Sequence, residues 1–389
     1  MNGAPRIALF ADTFFEVNGA ARTCREWDAF ARRNRLPFLC VRRGQQADAH
    51  EGDPVWSMDL VRSRLSISID TDLRFDACFY RLLDRVESQV RRFRPDFIHV
   101  TSPGDLGILG AIIATRMRIP LAASWHTNVH EFASRRFSLF CSWLPGGIRK
   151  RAAEFVERFV MDRICWFFGR AQVIFAPNPA LAAILKARTG RRVEFMGRGV
   201  DTELFHPSRR ARKDADLVLG YVGRLMPEKN LRLLLPVATA LRDAGVRRFR
   251  FQISGAGSER AWLERNLPDA VFTGVLTGES LAQAYADSDV FLFPSRTDTF
   301  GNVVQEALAS AVPAVVMNEG GPRFIVRDGV TGIVAATEEE FCRGVTTLSL
   351  NEGLRREMGR AGRLQVESQT WDRIFEHVYE SYAGSVATV

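Results

Sequence analysis

The chain lacks any Cys-x2-Cys pair: its six cysteines, Cys24, Cys40, Cys78, Cys141, Cys165 and Cys342, are scattered along 389 residues. That scatter argues against a zinc site and a disulfide framework, and fits reduced thiols in a cytosolic protein. Long apolar runs are also missing. The longest, LGILGAIIAT from Leu106 to Thr115, falls well short of the roughly 20 residues a spanning helix needs. Arg116 and Arg118 follow it at once. No repeat or low-complexity segment stands out, and no recognised RNA- or DNA-binding motif occurs, so nucleic acid is not an expected partner. A strand-like run, RIALFAD, begins almost at the first residue, from which no signal peptide is expected.

What is present is an ordinary globular composition, 46% hydrophobic and 25% charged. The length points to two domains. The net charge of +8 is unevenly spread. Residues 1–200 hold 31 Lys and Arg against 20 Asp and Glu, whereas the remainder holds 22 against 25. The basic half either meets an anionic partner (a phosphorylated ligand or an anionic membrane) or is a solvated face.

Strand-like runs alternate with helix-like stretches throughout, which predicts an α/β fold with parallel sheets. The candidate strands are RIALFA, PFLCV, FIHVTS, PLAASW and QVIFAP, then LVLGYVG, RFQISGAG, AVFTGV, DVFLFPS and AVVMNE. GRGVDTELFHP, from Gly197 to Pro207, is turn-rich and reads as the linker. Two such sheets place ligands outside the carboxyl ends of their strands, and facing edges would form one cleft. WDRIFEHVYESYAG has helical periodicity and could pack on either domain.

Three stretches in the second half could carry chemistry. In YVGRLMPEKN, Arg224 and Lys229 follow a buried strand, in the turn that opens the next helix. Two cations at a helix N-terminus suit a diphosphate, although such residues are often plain surface. ISGAGSER carries Gly255 and Gly257 without the full G-x-G-x-x-G spacing, so an NAD enzyme is disfavoured and a tight turn is at least as good a reading. In PSRTDTFGNVVQEALASAVP, a strand delivers Asp298 into a turn of Thr299, Phe300, Gly301 and Asn302, and Glu306 lies inside the helix that follows. Free N–H groups at that helix start favour phosphate or sugar hydroxyls, and a carboxylate can accept from a ribose diol. A helix-dipole carboxylate with an exposed Glu is the competing account.

The order YVGRLMPEKN, ISGAGSER, FTGVL, PSRTDTFGNVVQEALASAVPAVV, GGPRFIVRDGVTG resembles the family-four retaining glycosyltransferases of the GT-B fold. The resemblance implies two Rossmann-like doubly wound domains facing a central cleft: residues 1–200 with the last helix, 371–389, on the acceptor side, and 201–370 binding the donor. In that family a Glu-x7-Glu motif binds donor sugar and ribose. Here Asp298, one methylene shorter, stands in the first position and Glu306 in the second, and the phosphate-binding pair falls on Arg224 and Lys229. ADTFFEVNGAART looks like the family's first strand and glycine loop, which brings backbone close to the donor phosphates and the acceptor, with Gly19 the matching donor-binding residue and Ala20 in place of a second glycine. SWHTN puts His126 where the family has a His near the transferred sugar. SWHTN and MGRGVDTELFHP together resemble the branch of mannosyltransferases and sulfoquinovosyl or glucosyl lipid transferases. The resemblance implies transfer of a hexose from a UDP- or GDP-sugar with retention, with no metal and no cofactor beyond that donor.

From Glu131 to Arg170, Arg and Lys interleave with Phe and Trp around a Pro-Gly-Gly break. This segment is either an anionic-membrane surface or the core of a two-helix insertion. On the first account the acceptor is a lipid or lipid-linked sugar, and the enzyme is a cytoplasmic protein, peripheral on the inner membrane face. The alternatives are a soluble sugar or glycan acceptor, or a non-catalytic sugar-nucleotide-binding protein.

Overall fold

The computed structural model describes residues 3–16, 18–70, 73–126, 141, 143 and 146–386. The chain forms two compact units, Met1–Gly197 with Ile374–Val389, and Arg198–Arg373.

In the first unit the strands are β1 Ile7–Ala11, β2 Phe38–Arg43, β3 Asp48–Glu51, β4 Val55–Leu60, β5 Ser66–Asp70, β6 Leu73–Asp76, β7 Phe97–Val100, β8 Leu121–Ser124, β9 Val173–Ala176 and β10 Arg192–Phe195. Eight of them make one sheet in the order β10-β9-β8-β7-β1-β2-β4-β3, and β5 pairs with β6 separately. Within the large sheet only the β3–β4 pairing is antiparallel. IALFA, FIHV, LAAS and VIFA are buried along their whole length, as expected for parallel strands covered by helices on both faces. The last helix, Trp371–Val386, lays Phe375, Val378, Tyr379 and Tyr382 into this unit. Phe375 stacks on Trp27 at 5.4 Å, and Tyr382 sits 4.7 Å from Phe97.

The second unit holds β11 Leu217–Val222, β12 Phe249–Ser254, β13 Val271–Gly274, β14 Val290–Phe293, β15 Ala314–Met317 and β16 Gly332–Ala335, all parallel. Their order, β13-β12-β11-β14-β15-β16, is the doubly wound Rossmann order. The chain reverses its direction of travel across the sheet between β11 and β14. Helices leave the sheet on opposite faces there, so a crevice opens outside the carboxyl ends of those two strands. In the first unit the same reversal falls between β1 and β7.

Candidate active site

The turn after β11 is built by close backbone approach. A Cβ on Gly255 would lie 1.9 Å from the carbonyl oxygen of Gly223, and one on Gly257 would lie 2.2 Å from that of Leu225. The N–H of Leu225 donates to Ala256 O at 2.8 Å, locking the two turns together. Gly255 and Gly257 are therefore a structural support for the segment carrying Arg224, which is the tight-turn reading of ISGAGSER. The sequence placed Arg224 and Lys229 at the start of the next α-helix, and here the structure differs. Pro227 begins a short 3-10 turn, Pro227–Lys229, and Asn230 takes a left-handed φ of 53° that interrupts it. The α-helix starts only at Leu234.

That detour buries Lys229 beneath the loop after β14. Its Nζ lies 2.6 Å from Asp298 Oδ1. Burial alone would raise the Asp298 pKa, but the Lys229 charge and hydrogen bond, helped by the Ser295 hydroxyl and then by the charge of Arg224, hold it below the usual carboxylate range. Asp298 Oδ2 is buried too. Arg224 lies 3.6 Å from Glu228 and keeps about two-fifths of its side chain exposed, 39%.

The Asp298 loop is braced from the side. Gly321 N–H donates to Asp298 O at 2.6 Å. A Cβ at Gly321 would strike Thr299 O at 2.2 Å, so only glycine fits this close approach. Gly301, at φ 106°, caps the helix Asn302–Ala309 and turns the chain into it. Glu306 is buried, not exposed, and Tyr285 Oη donates to its Oε2 at 2.8 Å. Thr299, Phe300 and Asn302 line the same turn, with the Arg198 guanidinium 5.9 Å from the Phe300 ring. Lys229, Asp298, the 299–302 turn and Glu306 thus gather around the β11–β14 reversal. Sequence reasoning read Arg198 only as linker and overlooked Tyr285. The one signal available for Tyr285 was an aromatic residue just before DVFLFPS.

In the first unit, Gly19 opens the helix Gly19–Arg33, whose cap is Asn18 accepting from Ala21 N–H at 2.8 Å. Asp12, at the end of β1, is buried, and its Oδ1 accepts from Leu106 N–H at 2.9 Å. A Cβ on Gly104 would lie 2.5 Å from that carboxylate, so glycine makes room for it. Burial first, and then the negative charge of Asp105, push the Asp12 pKa up to about 7. Partly buried His126 follows β8, with its Nε2 2.6 Å from Ser124 Oγ. The neighbouring Trp125 stacks on Phe168 at 5.4 Å.

The segment 127–140 lies outside the described residues, and so does much of 141–146. Beyond it, the helix Gly146–Phe168 has two apolar faces. Met161, Ile164, Cys165, Phe167 and Phe168 enter the core. Ile148, Phe155, Phe159 and Trp166 are exposed at 58%, 63%, 54% and 59%, and Trp143 before the helix at 78%. Among the described residues, one face of this helix fits the core reading and the other is exposed. Among the described residues, no helix is long and apolar enough to cross a membrane.

The profile described as "Glycosyltransferase Family 4" matches residues 17–204, and that described as "Glycosyl transferases group 1" matches residues 216–351. The chain is 34% identical, over 97% of its length and 98% of the relative's, to a GDP-mannose-dependent alpha-mannosyltransferase of Mycolicibacterium smegmatis. It is 32% identical to the sulfoquinovosyl transferase SQD2 of Arabidopsis thaliana, over 75% of this chain and 57% of that protein. Among solved structures, sucrose-phosphate synthase of Thermosynechococcus elongatus superposes with a TM-score of 0.72 at 16% identity, covering 99% of this chain and 100% of the other. Anabaena Alr3699/HepE in complex with UDP gives 0.65 at 15% identity, covering 97% and 100%. At such identities these structures bear on the fold alone.

Proposed function

The chain belongs to the family-four glycosyltransferases, and from that premise we propose that it moves a hexose from a nucleotide-diphosphate sugar to a lipid or lipid-linked acceptor at the inner membrane face. GDP-mannose is the first donor to test, because the relatives matched along their whole length carry that name. The observation that carries the reading is the Lys229–Asp298 pair at the β11–β14 reversal. A buried ammonium there suits a departing diphosphate, and the neighbouring Asp298 carboxylate suits a hexose hydroxyl.

In this reading Arg224 and Lys229 stabilise charge on the leaving diphosphate. N–H groups of the 299–302 turn meet phosphate oxygens, Glu306 holds the ribose diol, Gly19 serves donor binding, and His126 acts near the transferred sugar. Transfer proceeds with retention, the leaving phosphate taking the acceptor proton, and needs no added metal. The exposed aromatic stripe on Gly146–Phe168, edged by Arg151, Arg158 and Arg163, favours a lipid over a soluble acceptor.

The test is direct. Purified protein is mixed with GDP-mannose or UDP-hexoses and vesicles of anionic lipid extract, and sugar is followed into the organic phase with chelator present. Labelled product with a retained anomeric configuration is expected. Transfer only to water-soluble sugars would move the acceptor to the soluble class, and donor binding without turnover would overturn the enzymatic reading.

A further inference from the structure

Four polar side chains run in single file through the first unit, from its last helix to His126. The Tyr382 hydroxyl meets His99 Nδ1. His99 Nε2 lies 2.8 Å from Ser124 Oγ, and Ser124 Oγ lies 2.6 Å from His126 Nε2. Tyr382 and His99 are 0% exposed and Ser124 is 1% exposed, so bulk water does not reach these partners.

Counting hydrogens gives the file a direction. Burial pushes the His99 pKa down to about 3, so near neutral pH its ring carries one N–H. The Tyr382 hydroxyl has one hydrogen and, among the described residues, one acceptor, His99 Nδ1. Were the His99 hydrogen on Nδ1, the tyrosine O–H would be sealed in the core with nothing to accept it, at the full desolvation cost of that group. Tyr382 therefore donates to Nδ1, and His99 carries its hydrogen on Nε2 and donates it to Ser124 Oγ. The single serine hydrogen is then delivered to His126 Nε2. That nitrogen accepts, so the His126 hydrogen sits on Nδ1.

We propose that Tyr382, His99 and Ser124 are positioning residues that hold His126 in its Nδ1–H tautomer, fixing Nδ1 as the donating edge of its imidazole. The tautomer follows from this unit alone; its use in catalysis rests on the function proposed above. The last helix thereby bears on the acceptor-side chemistry through Tyr382, although 256 positions separate that residue from His126. A donor whose tautomer is set before substrate arrives needs no reorganisation during reaction.

Side-chain nitrogen NMR on the full histidine-labelled protein reads the tautomer without any substrate, with His126→Gln used to assign the signal. The expected pattern is a protonated Nδ1 and a bare Nε2 at His126. Tyr382→Phe keeps the ring packing and removes the starting donor, and Ser124→Ala removes the last link. Each is expected to convert His126 to a mixture of tautomers and to lower kcat about tenfold, with donor KM little changed, because a misdirected donor loses transition-state stabilisation. Wild-type nitrogen shifts in both variants would overturn the proposal. A change in Ser124→Ala alone would overturn the part assigned to Tyr382 and His99. The expected nitrogen pattern in a protein that transfers no sugar would support the relay and overturn the proposed function.

Discussion

Lys229 and Asp298 hold each other at 2.6 Å in a place where either charge alone would be costly, and the loss of one partner has two readouts. Lys229→Ala strands the Asp298 carboxylate and is expected to lower stability as well as turnover. Arg224→Ala touches a half-exposed side chain and is expected to lower turnover alone. Each should lose about 2–4 kcal/mol of transition-state stabilisation if charge builds on a leaving diphosphate. Thermal melts beside kcat/KM separate the two effects, and near-normal turnover in folded Arg224→Ala would remove it from the diphosphate site. Asp12 offers a pH test. Its folded pKa of about 7 lies above its unfolded value. The folded chain thus holds a proton that the unfolded chain has released, and the stability this contributes is full below the unfolded pKa and lost as pH rises through the folded one. Asp12→Asn can keep the Leu106 contact and carries no charge, so its melting temperature should gain on wild type more at pH 8 than at pH 5. An equal difference at both values would show that Asp12 is not titrating. Asp298 and Glu306 were legible because one loop and one helix present them in sequence. Tyr285, Ser124 and His99 were not, because their roles exist only through partners brought together by the fold.

Most strands read directly from sequence are buried on both faces, such as IALFA and VVM in β15, where every residue is apolar; VFTG of β13, at the sheet edge, was legible from its apolar start. The strands that escaped are edge or near-edge pieces without such a run. DAHE of β3 is exposed along its whole length and RVEF of β10 at both ends. GIVA of β16 opens with Gly332, which would place a Cβ 2.0 Å from Ala314 O, so its identity was set by contact with β15 and not by pattern. The helix Gly146–Phe168 shows the same limit. Its aromatic content is visible in sequence, but which ring faces inward is decided by three-dimensional neighbours. Ile148, Phe155, Phe159 and Trp166 are spaced by seven, four and seven residues, which returns them to one stripe at 3.6 residues per turn. Phe155 and Phe159 stack at 6.4 Å, and the Arg163 and Arg170 guanidinium groups lie 5.6 and 3.5 Å from the Phe159 and Trp166 rings. Phe155→Ser with Phe159→Ser should therefore leave stability within about 1 kcal/mol, whereas Phe168→Ala, fully in the core, should lose about 3–5 kcal/mol. Denaturant unfolding of both proteins checks this, and comparable losses would mean that the stripe is covered.

Charge is distributed by halves: residues 1–200 carry a net +11 and the rest a net −3, so long-range attraction to an anionic surface acts on the half that bears the aromatic stripe. Each basic residue near anionic lipid contributes about 1 kcal/mol, screened over a Debye length of roughly 10 Å at ~0.1 M salt. Arg149, Lys150 and Arg151 lie in the first turns of the helix that carries Phe155 and Phe159, so charge and apolar surface are offered together. Neither is enough alone: the rings give no preference for anionic lipid, and the charges alone would be released by modest salt. Together they predict reversible binding to anionic vesicles, little to neutral ones, and release at high salt. Replacing Arg149, Lys150 and Arg151 together should weaken binding through its salt-sensitive part, and Phe155→Ser with Phe159→Ser should weaken it at every salt concentration. Vesicle sedimentation at two salt concentrations reads both contributions. Failure of the wild-type protein to sediment with anionic vesicles at low salt would leave the stripe without a membrane role and shift the acceptor to a soluble sugar.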